Sequence, residues 1–191
     1  LLYTMYKMGL LRGEKTKSAN VVGQTMKLNP HGDMAIYEAL VRLTTGNMAL
    51  LHPLIESKGN FGRVYSRDMK FAAPRYTEVK LADIAEALFR DIDKDTVDFV
   101  DNYDGTMKEP VLLPTVFPNI LVNPNQGIAV GMASNICSFN LREVCEATIA
   151  YIKNDNVDLL DYLKAPDFPT GGQIIVNREE LSKIYRTGRG S

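Results

Sequence analysis

The chain has 191 residues, of which 45% are hydrophobic and 24% charged, and its formal net charge is −1. This length suits one large domain, or one domain and part of another, with enough apolar material for a core. No apolar run approaches the roughly 20 residues of a membrane-spanning helix, and no signal peptide is recognisable. The two cysteines lack metal-ligand spacing and fit free thiols in a reducing cytosol. We therefore expect a cytoplasmic protein with no membrane partner.

The small net charge hides an uneven distribution. Residues 12–80 hold eleven Lys or Arg and six Asp or Glu, a balance of +5, whereas residues 81–191 hold ten against seventeen, a balance of −7. Concentrated positive charge is what contacts with phosphate groups require. An unevenly charged, solvated surface would give the same counts, so charge alone leaves both interpretations open.

Two helices joined by a short turn are predicted near the start of the chain. Residues 17–28 and 34–45 both carry helical periodicity. Between them, Pro30 ends the first helix, Gly32 permits an unusual backbone angle, and Asp33 is a good N-cap for the second. This pattern predicts a helix-turn-helix, with an ordinary helical hairpin as the alternative.

The second of these helices has two distinct faces. Three apolar residues share one face and are predicted to be buried: Ile36, Leu40 and Leu43. Met34, Glu38 and Arg42, spaced by four residues, form another face that is available to DNA. After the helix, residues 50–55 suit a strand and residues 57–60 a turn, which together predict the wing of a winged helix.

The most informative short segment is the pair Arg75 and Tyr76. A free phenol has a pKa near 10, so a tyrosine nucleophile needs neighbours that favour its anion. The Arg75 guanidinium is always charged, and its shape suits phosphate oxygens. Apolar residues recur at helical spacing at 81, 84, 85, 88 and 89. We therefore predict a helix with Thr77 as its N-cap and Tyr76 at the positive end of its dipole. An ordinary tyrosine packed on a helix start is the alternative.

The rest of the chain alternates strand and helix signals. We predict a strand entering a turn at 99–106, a buried strand at 128–132, an amphipathic helix at 141–153 and a strand at 173–176. Prolines at 110, 114 and 118 mark a boundary. Asp91 and Asp93 match an Asp-x-Asp pattern that can bind Mg²⁺, but their place among other charges favours solvation.

Six sequence blocks occur in a fixed order, at 17–19, 30–33, 59–62, 75–78, 97–106 and 127–132. In this order they resemble the breakage-reunion A subunits of bacterial type IIA DNA topoisomerases, meaning DNA gyrase and topoisomerase IV. The resemblance covers nearly the whole chain, including the closing segment 185–190. It implies an α+β fold, with a winged-helix (helix-turn-helix) DNA-cleavage domain at 1–110 and the first part of an α/β tower domain at 111–191. Because the chain starts without methionine, we expect a fragment.

The resemblance assigns catalytic roles to three residues. It implies that Tyr76 attacks a DNA phosphate to form a transient 5′-phosphotyrosyl link, which stores the energy needed for resealing. Arg75 would stabilise charge developing on the phosphorus, and His31 would contact the scissile region.

Six further residues receive binding roles from the same resemblance. DNA contacts are implied for Lys17, Lys27, Arg42 and Ile128. Ile128 would insert between base pairs and bend the DNA, whereas composition alone would favour an isoleucine in the core. Met34 and Glu38 hold the positions that contact quinolone drugs.

The resemblance also implies the partners. This chain would bind no cofactor or metal itself, because Mg²⁺ and ATP enter through the partner B subunit of an A2B2 holoenzyme. Double-stranded DNA would be the substrate, a second copy of the chain would complete a homodimer, and the protein would be associated with the nucleoid. The fragment alone is expected to be inactive.

Three residues depart from the commonest family pattern. Asn20 stands where arginine is frequent, Asn29 replaces a histidine, and Met34 replaces the serine of the drug contact. Two other functions are alternatives. A non-catalytic winged-helix module has no use for the Arg75 and Tyr76 pair. A tyrosine recombinase would need an all-helical catalytic domain, which the predicted strands contradict.

Overall fold

The computed structural model divides into two compact units, Leu1–Val116 and Phe117–Ser191, and describes residues 1–190. Both units combine helices with small antiparallel sheets, which confirms the predicted α+β class. The domain limits at 110 and 111 stay predictions, because compactness alone does not define a domain that folds independently. Within residues 1–190, every helix is too short or too polar to cross a lipid bilayer.

The first unit begins with three helices and a short strand: α1 (Leu2–Lys7), β1 (Thr16–Lys17), α2 (Ser18–Leu28) and α3 (Asp33–Leu43). Both predicted helices are therefore confirmed to within two residues at each end. Asp33 was predicted as the N-cap, but the cap is Gly32 with φ +113°, a conformation that residues with a side chain rarely adopt. Of the predicted buried face, Ile36 and Leu40 are buried and Leu43 is half-buried.

A three-stranded antiparallel sheet closes this unit, with strand order β1-β5-β2. Strand β2 is Ile55–Lys58 and β5 is Glu78–Leu81. Between them, β3 (Phe61–Arg63) and β4 (Ser66–Phe71) form a separate hairpin. The predicted strand at 50–55 is wrong except for Ile55, although the irregular segment before it still buries Leu50 and Leu54.

The helix predicted to start at Thr77 is wrong. Residues Glu78–Leu81 form the central strand β5, in which Val79 and Leu81 are fully buried and alternate with partly exposed charged residues. A 3₁₀ turn at Asp83–Ala85 and the short helix α4 (Glu86–Phe89) follow. The apolar residues after position 81 belong to these turns, and pairing of β5 with β1 and β2 outweighs the local helical spacing. Tyr76 is therefore followed by a strand, without a helix dipole behind it.

The first unit ends in a second hairpin, β6 (Phe99–Asp101) and β7 (Lys108–Pro110). This confirms the strand and turn predicted at 99–106. The turn carries Asn102, which is buried, and Tyr103, which is exposed.

The second unit contains the hairpin β8 (Asn125–Ala129) and β9 (Met132–Ile136), followed by helices α5 (Leu141–Lys153) and α6 (Arg178–Thr187). Helix α5 confirms the prediction at 141–153, and Asn140 caps it by accepting hydrogen bonds from two backbone amides. The core of the second unit is formed by five buried residues: Val122, Phe139, Val144, Ala147 and Leu163. Both cysteines are free thiols.

Two strand predictions in this unit are wrong. Residues 173–176 form no strand, and helix α6, which was not predicted, follows directly. The predicted buried strand at 128–132 is an exposed hairpin that turns at Gly131, whose φ is +77°. Ile128 is 93% exposed, because the apolar run meets no second layer in the described part of the chain.

Candidate functional site

The loop that carries Tyr76 is attached to the first turn of α2. The Ser18 amide donates to the Thr77 carbonyl at 2.9 Å, and the Ala19 amide donates to the Pro74 carbonyl at 3.1 Å. A third bond, from the Tyr76 amide to the Ala73 carbonyl at 3.0 Å, closes a turn within the loop. The first amides of a helix have no partner inside it, so this loop satisfies two of them and is held at both sides of Tyr76.

Three buried hydroxyl groups lie beneath this loop. The Thr77 hydroxyl donates to the Ser18 hydroxyl at 2.8 Å, and its oxygen lies 3.0 Å from the Tyr37 hydroxyl. Tyr37 in turn donates to the Ala72 carbonyl at 2.8 Å. All three side chains are almost completely buried, and burial raises the pKa of Tyr37 above the usual value for a phenol. The network connects α2, α3 and the loop, with the Thr77 hydroxyl between those of Ser18 and Tyr37.

Arg75 and Tyr76 themselves project into solvent from this rigid base. The Tyr76 side chain is 63% exposed, and the Arg75 guanidinium carbon lies 4.6 Å from the centre of its ring. A guanidinium on the face of an aromatic ring keeps its N–H groups free for another acceptor. The pair can therefore meet a phosphate group without rearranging the core.

His31 lies on the exposed turn between α2 and α3. Its ring contacts the Tyr103 ring edge to face, with centroids 4.5 Å apart and an angle of 72°. The residue before Tyr103, Asn102, is buried and donates to the Leu28 carbonyl at 3.0 Å. The β6–β7 turn thus contacts both the end of α2 and the turn that follows it.

Two groups can be distinguished among the basic residues of the first unit that lie near the proposed site or on the three-stranded sheet. On the three-stranded sheet, Lys15 and Lys80 contact Glu56 at 3.0 and 3.4 Å, and Lys17 and Lys58 contact Glu78 at 2.9 and 3.6 Å. Hydrogen bonds from Lys15 and Lys17 hold the pKa values of the two glutamates below their usual range. Lys17, predicted as a DNA contact, would have to exchange Glu78 for a phosphate.

The second group consists of cations without an acidic partner. Within residues 1–190, no carboxylate forms an ion pair with the following side chains: Lys27, Arg42, Arg67, Lys70 and Arg75. Arg42 and Lys70 line the same open groove of 590 Å³ between α3 and the β3–β4 hairpin. Glu38 also lines this groove, whereas Met34, 53% exposed, lies outside it. The predicted face of α3 is thus exposed, and Glu38 and Arg42 of that face border the groove.

This geometry occurs in a chain that a family model matches over residues 1–191, a model described as the A subunit of DNA gyrase/topoisomerase IV. The chain belongs to this family. It is 47% identical to the DNA gyrase A subunit of Borreliella burgdorferi and 50% identical to the DNA topoisomerase 4 A subunit of Neisseria gonorrhoeae, in each case over all of the chain. It spans 24% and 25% of those relatives, about a quarter of their length.

A second candidate DNA contact of this gyrase and topoisomerase IV family member lies on the β8–β9 hairpin. Ile128 pairs with Ala133 across the hairpin, and its neighbour Gly127 lies so close to Ser134 that a Cβ atom would be 2.9 Å from the Ser134 hydroxyl. The isoleucine is therefore presented on a tightly paired strand and is not a core residue in the described part of the chain.

Asp91 and Asp93, the Asp-x-Asp pair of this family member, both contact other side chains. Among residues 1–190, no three His, Cys, Asp or Glu side chains are grouped so that they could hold an ion. Asp91 contacts Lys94 at 2.8 Å, and Asp93 accepts a hydrogen bond from Tyr6 at 2.8 Å.

Four further residues shape this site: Ser18, Tyr37, Thr77 and Asn102. From the sequence, Thr77 was predicted as a helix cap, and the other three had no predicted role. Ser18, Thr77 and Asn102 do lie within the ordered blocks, which was the available signal. Asn20 and Asn29, the two atypical residues near the site, are exposed, and Asn20 donates to Thr16 at 3.2 Å.

Proposed function

We propose that this chain is the DNA-cleaving and religating part of a type IIA topoisomerase, with Tyr76 as the nucleophile. The observation that carries the proposal is an exposed Arg75 and Tyr76 pair held on a loop that α2 and three buried hydroxyls fix. A rigid base with a free reactive end is what positioned nucleophilic catalysis requires.

The reaction is a balanced exchange of ester bonds. The Tyr76 oxygen forms a bond to the phosphorus and gives up its proton to water, while the bond from phosphorus to the 3′-oxygen breaks. The 3′-oxygen takes up a proton, and the 5′-phosphate stays on the tyrosine. Arg75 donates hydrogen bonds to the phosphate oxygens as charge develops, and the reverse reaction reseals the strand.

The order of elements supports a winged-helix assignment for the first unit. Three helices and a three-stranded sheet of order β1-β5-β2, with a hairpin inserted between β2 and β5, are compatible with the winged-helix domain that the resemblance implies. Helix α3 then corresponds to the recognition helix, and the β3–β4 hairpin lies within the wing. The second unit is the first part of the tower domain.

Duplex DNA binds to the basic side chains that lack acidic partners. Lys27, Arg42 and Arg75, with Arg67 and Lys70 of the hairpin, supply positive charge that is not already neutralised. Ile128 acts as the bending wedge, and His31 contacts DNA near the scissile bond. These contacts position the duplex but do not read its sequence.

The complete protein works with partners that this chain does not contain. The relatives are named as A subunits of DNA gyrase or of topoisomerase 4, names that imply at least one other kind of subunit. We propose a homodimer of A subunits with a B subunit that supplies Mg²⁺ and ATP, so that two Tyr76 residues cut opposite strands during ATP-dependent strand passage. The protein acts in the cytoplasm, on the nucleoid.

The test is Tyr76→Phe in the full-length protein with its B partner. Only the phenolic oxygen is lost, so we expect no covalent DNA adduct after denaturant trapping, while the Kd for DNA changes within a few fold. Tyr151→Phe, at an exposed tyrosine of α5, is the matched control and should cleave normally. An adduct retained in Tyr76→Phe would assign the nucleophile to another tyrosine, with the exposed Tyr103 the next to examine.

A further inference from the structure

The β6–β7 turn binds the end of α2 through one buried amide side chain. Asn102 is 4% exposed, and its Nδ2 donates to the Leu28 carbonyl at 3.0 Å and to the Lys27 carbonyl at 3.4 Å. Its Oδ1 accepts a hydrogen bond from the Met107 amide at 2.9 Å, which closes its own turn. The last carbonyls of a helix lack partners inside the helix, so Asn102 acts as a cap supplied from a distant segment.

The next residue along the same turn contacts His31. Tyr103 is 76% exposed, so burial in a core does not explain its placement. Its ring nevertheless lies edge to face with the His31 imidazole at a centroid distance of 4.5 Å. Aromatic pairs prefer this geometry, and it limits the rotamers open to an otherwise exposed histidine.

The α2–α3 turn leaves His31 outside both helices, so that neither helix orients its side chain. Pro30 prevents α2 from continuing, and Gly32 holds φ +113°, so His31 stands between two residues that belong to neither helix. Asn102 fixes the turn where it leaves α2, and Tyr103 fixes the side chain that the turn presents.

We propose that Asn102 and Tyr103 are positioning residues, which hold His31 in the orientation needed at the scissile DNA and do not themselves contact the reacting atoms. The inference rests on the proposed function, because His31 has a role only if DNA is cleaved at Tyr76. The β6–β7 turn would then contribute to cleavage, although neither the charge nor the exposure of its residues indicates such a role.

The decisive experiment is a double-mutant cycle between His31 and Tyr103 in the full-length protein with its B partner. Single-turnover formation of the covalent adduct on a labelled duplex gives the cleavage rate, and fluorescence anisotropy gives the Kd for DNA. Tyr103→Ala should slow cleavage about two- to tenfold with little change in Kd, as loss of an aromatic pair would. In the His31→Ala background, the same substitution should have almost no further effect.

Two conservative variants separate positioning from other roles. Tyr103→Phe keeps the ring and should cleave like the unmodified protein, whereas Asn102→Asp cannot donate to the Leu28 carbonyl and should slow cleavage as Tyr103→Ala does. Tyr151→Ala, at an exposed tyrosine of the second unit, should change neither rate nor Kd. If Tyr103→Ala prevents folding, Tyr103→Leu takes its place in the cycle.

Other results would overturn the inference. If Tyr103→Ala lowers the cleavage rate by the same factor with and without His31, Tyr103 acts on DNA directly. If Tyr103→Phe lowers the cleavage rate, the Tyr103 hydroxyl is used. An unchanged cleavage rate in Tyr103→Ala would show that Tyr103 does not position His31. By contrast, absence of any Tyr76-dependent adduct in the unmodified protein would refute the proposed function itself.

Discussion

Ser18 and Thr77 are joined by two hydrogen bonds, one between their backbones and one between their hydroxyls, at 2.9 and 2.8 Å. Both side chains are completely buried, 59 residues apart in sequence. This double connection ties the start of α2 to the residue that follows Tyr76. The position of the proposed nucleophile therefore depends on a contact that neither segment makes alone.

Thr77→Val should test this connection. Valine keeps the shape of threonine but removes the hydroxyl that contacts Ser18 and Tyr37, so that Tyr37 keeps only the Ala72 carbonyl. We expect the free energy of unfolding to fall by about 1–3 kcal/mol and the yield of covalent adduct to fall more than DNA affinity. Denaturant unfolding and adduct trapping measure the two effects. Thr115→Val, at an exposed position, is the control, and equal stability of the two variants would argue against the network.

The two groups of basic residues should differ in the salt dependence of DNA binding. Replacing Arg67 and Lys70 by Gln removes two unpaired cations, so the slope of log K against log salt should become less steep by about 1.8. Replacing Lys58 and Lys80 by Gln leaves each glutamate with one lysine, and the slope should change little. Identical slopes for both double variants would show that the hairpin does not contact phosphates.

Ile128→Ala should reduce DNA bending more than DNA binding. Opening a base step requires a bulky apolar wedge, whereas the salt-dependent part of affinity comes from Lys and Arg. Energy transfer between the ends of a short labelled duplex reports the bend angle. Ile152→Ala, at an exposed isoleucine of α5, serves as control. A bend angle that does not respond to Ile128→Ala would exclude the wedge.

Met34→Ser should increase sensitivity to quinolones. Met34 and Glu38 are both exposed and lie one helical turn apart on α3, where a drug held through a Mg²⁺-bound water needs two oxygen acceptors. Gaining one water-mediated contact should lower the drug concentration that stabilises cleaved DNA by about two- to tenfold at fixed Mg²⁺. Met107→Ser is the control, and an unchanged concentration in Met34→Ser would mean that the drug does not use this face.

Tyr185 should make stability depend on alkaline pH. Burial raises the pKa of Tyr185 from 10.0 to about 12, and its hydroxyl donates to the Leu163 carbonyl at 3.1 Å. The folded state therefore favours the protonated phenol. Its contribution is complete below pH 10 and is lost as the pH rises toward 12, because the unfolded chain releases the proton first. The difference in unfolding free energy between the unmodified chain and Tyr185→Phe should thus shrink over this range, and a constant difference would contradict the prediction.

Local sequence determined those parts of the protein whose signals lie within one segment. Helices α2, α3 and α5 were predictable because their apolar residues recur at helical spacing within one segment, and Pro30 marks the end of α2. The ordered blocks likewise identified the family and drew attention to Arg75 and Tyr76, since those blocks are a property of the chain alone.

Tertiary structure decided the features that depend on contacts between residues distant in the sequence. Leu81 fits both the helical spacing that continues to residue 89 and a strand alternation with Val79, and pairing with β1 and β2 selected the strand. Lys17 and Arg42 are both basic, but of the two only Lys17 forms an ion pair with a glutamate in the described part of the chain, and that glutamate is 61 residues away. The hydrogen bond from Asn102 to Leu28 spans 74 residues. Contacts of this kind leave no local pattern, because the energy that selects them arises only when separate segments meet and exclude water.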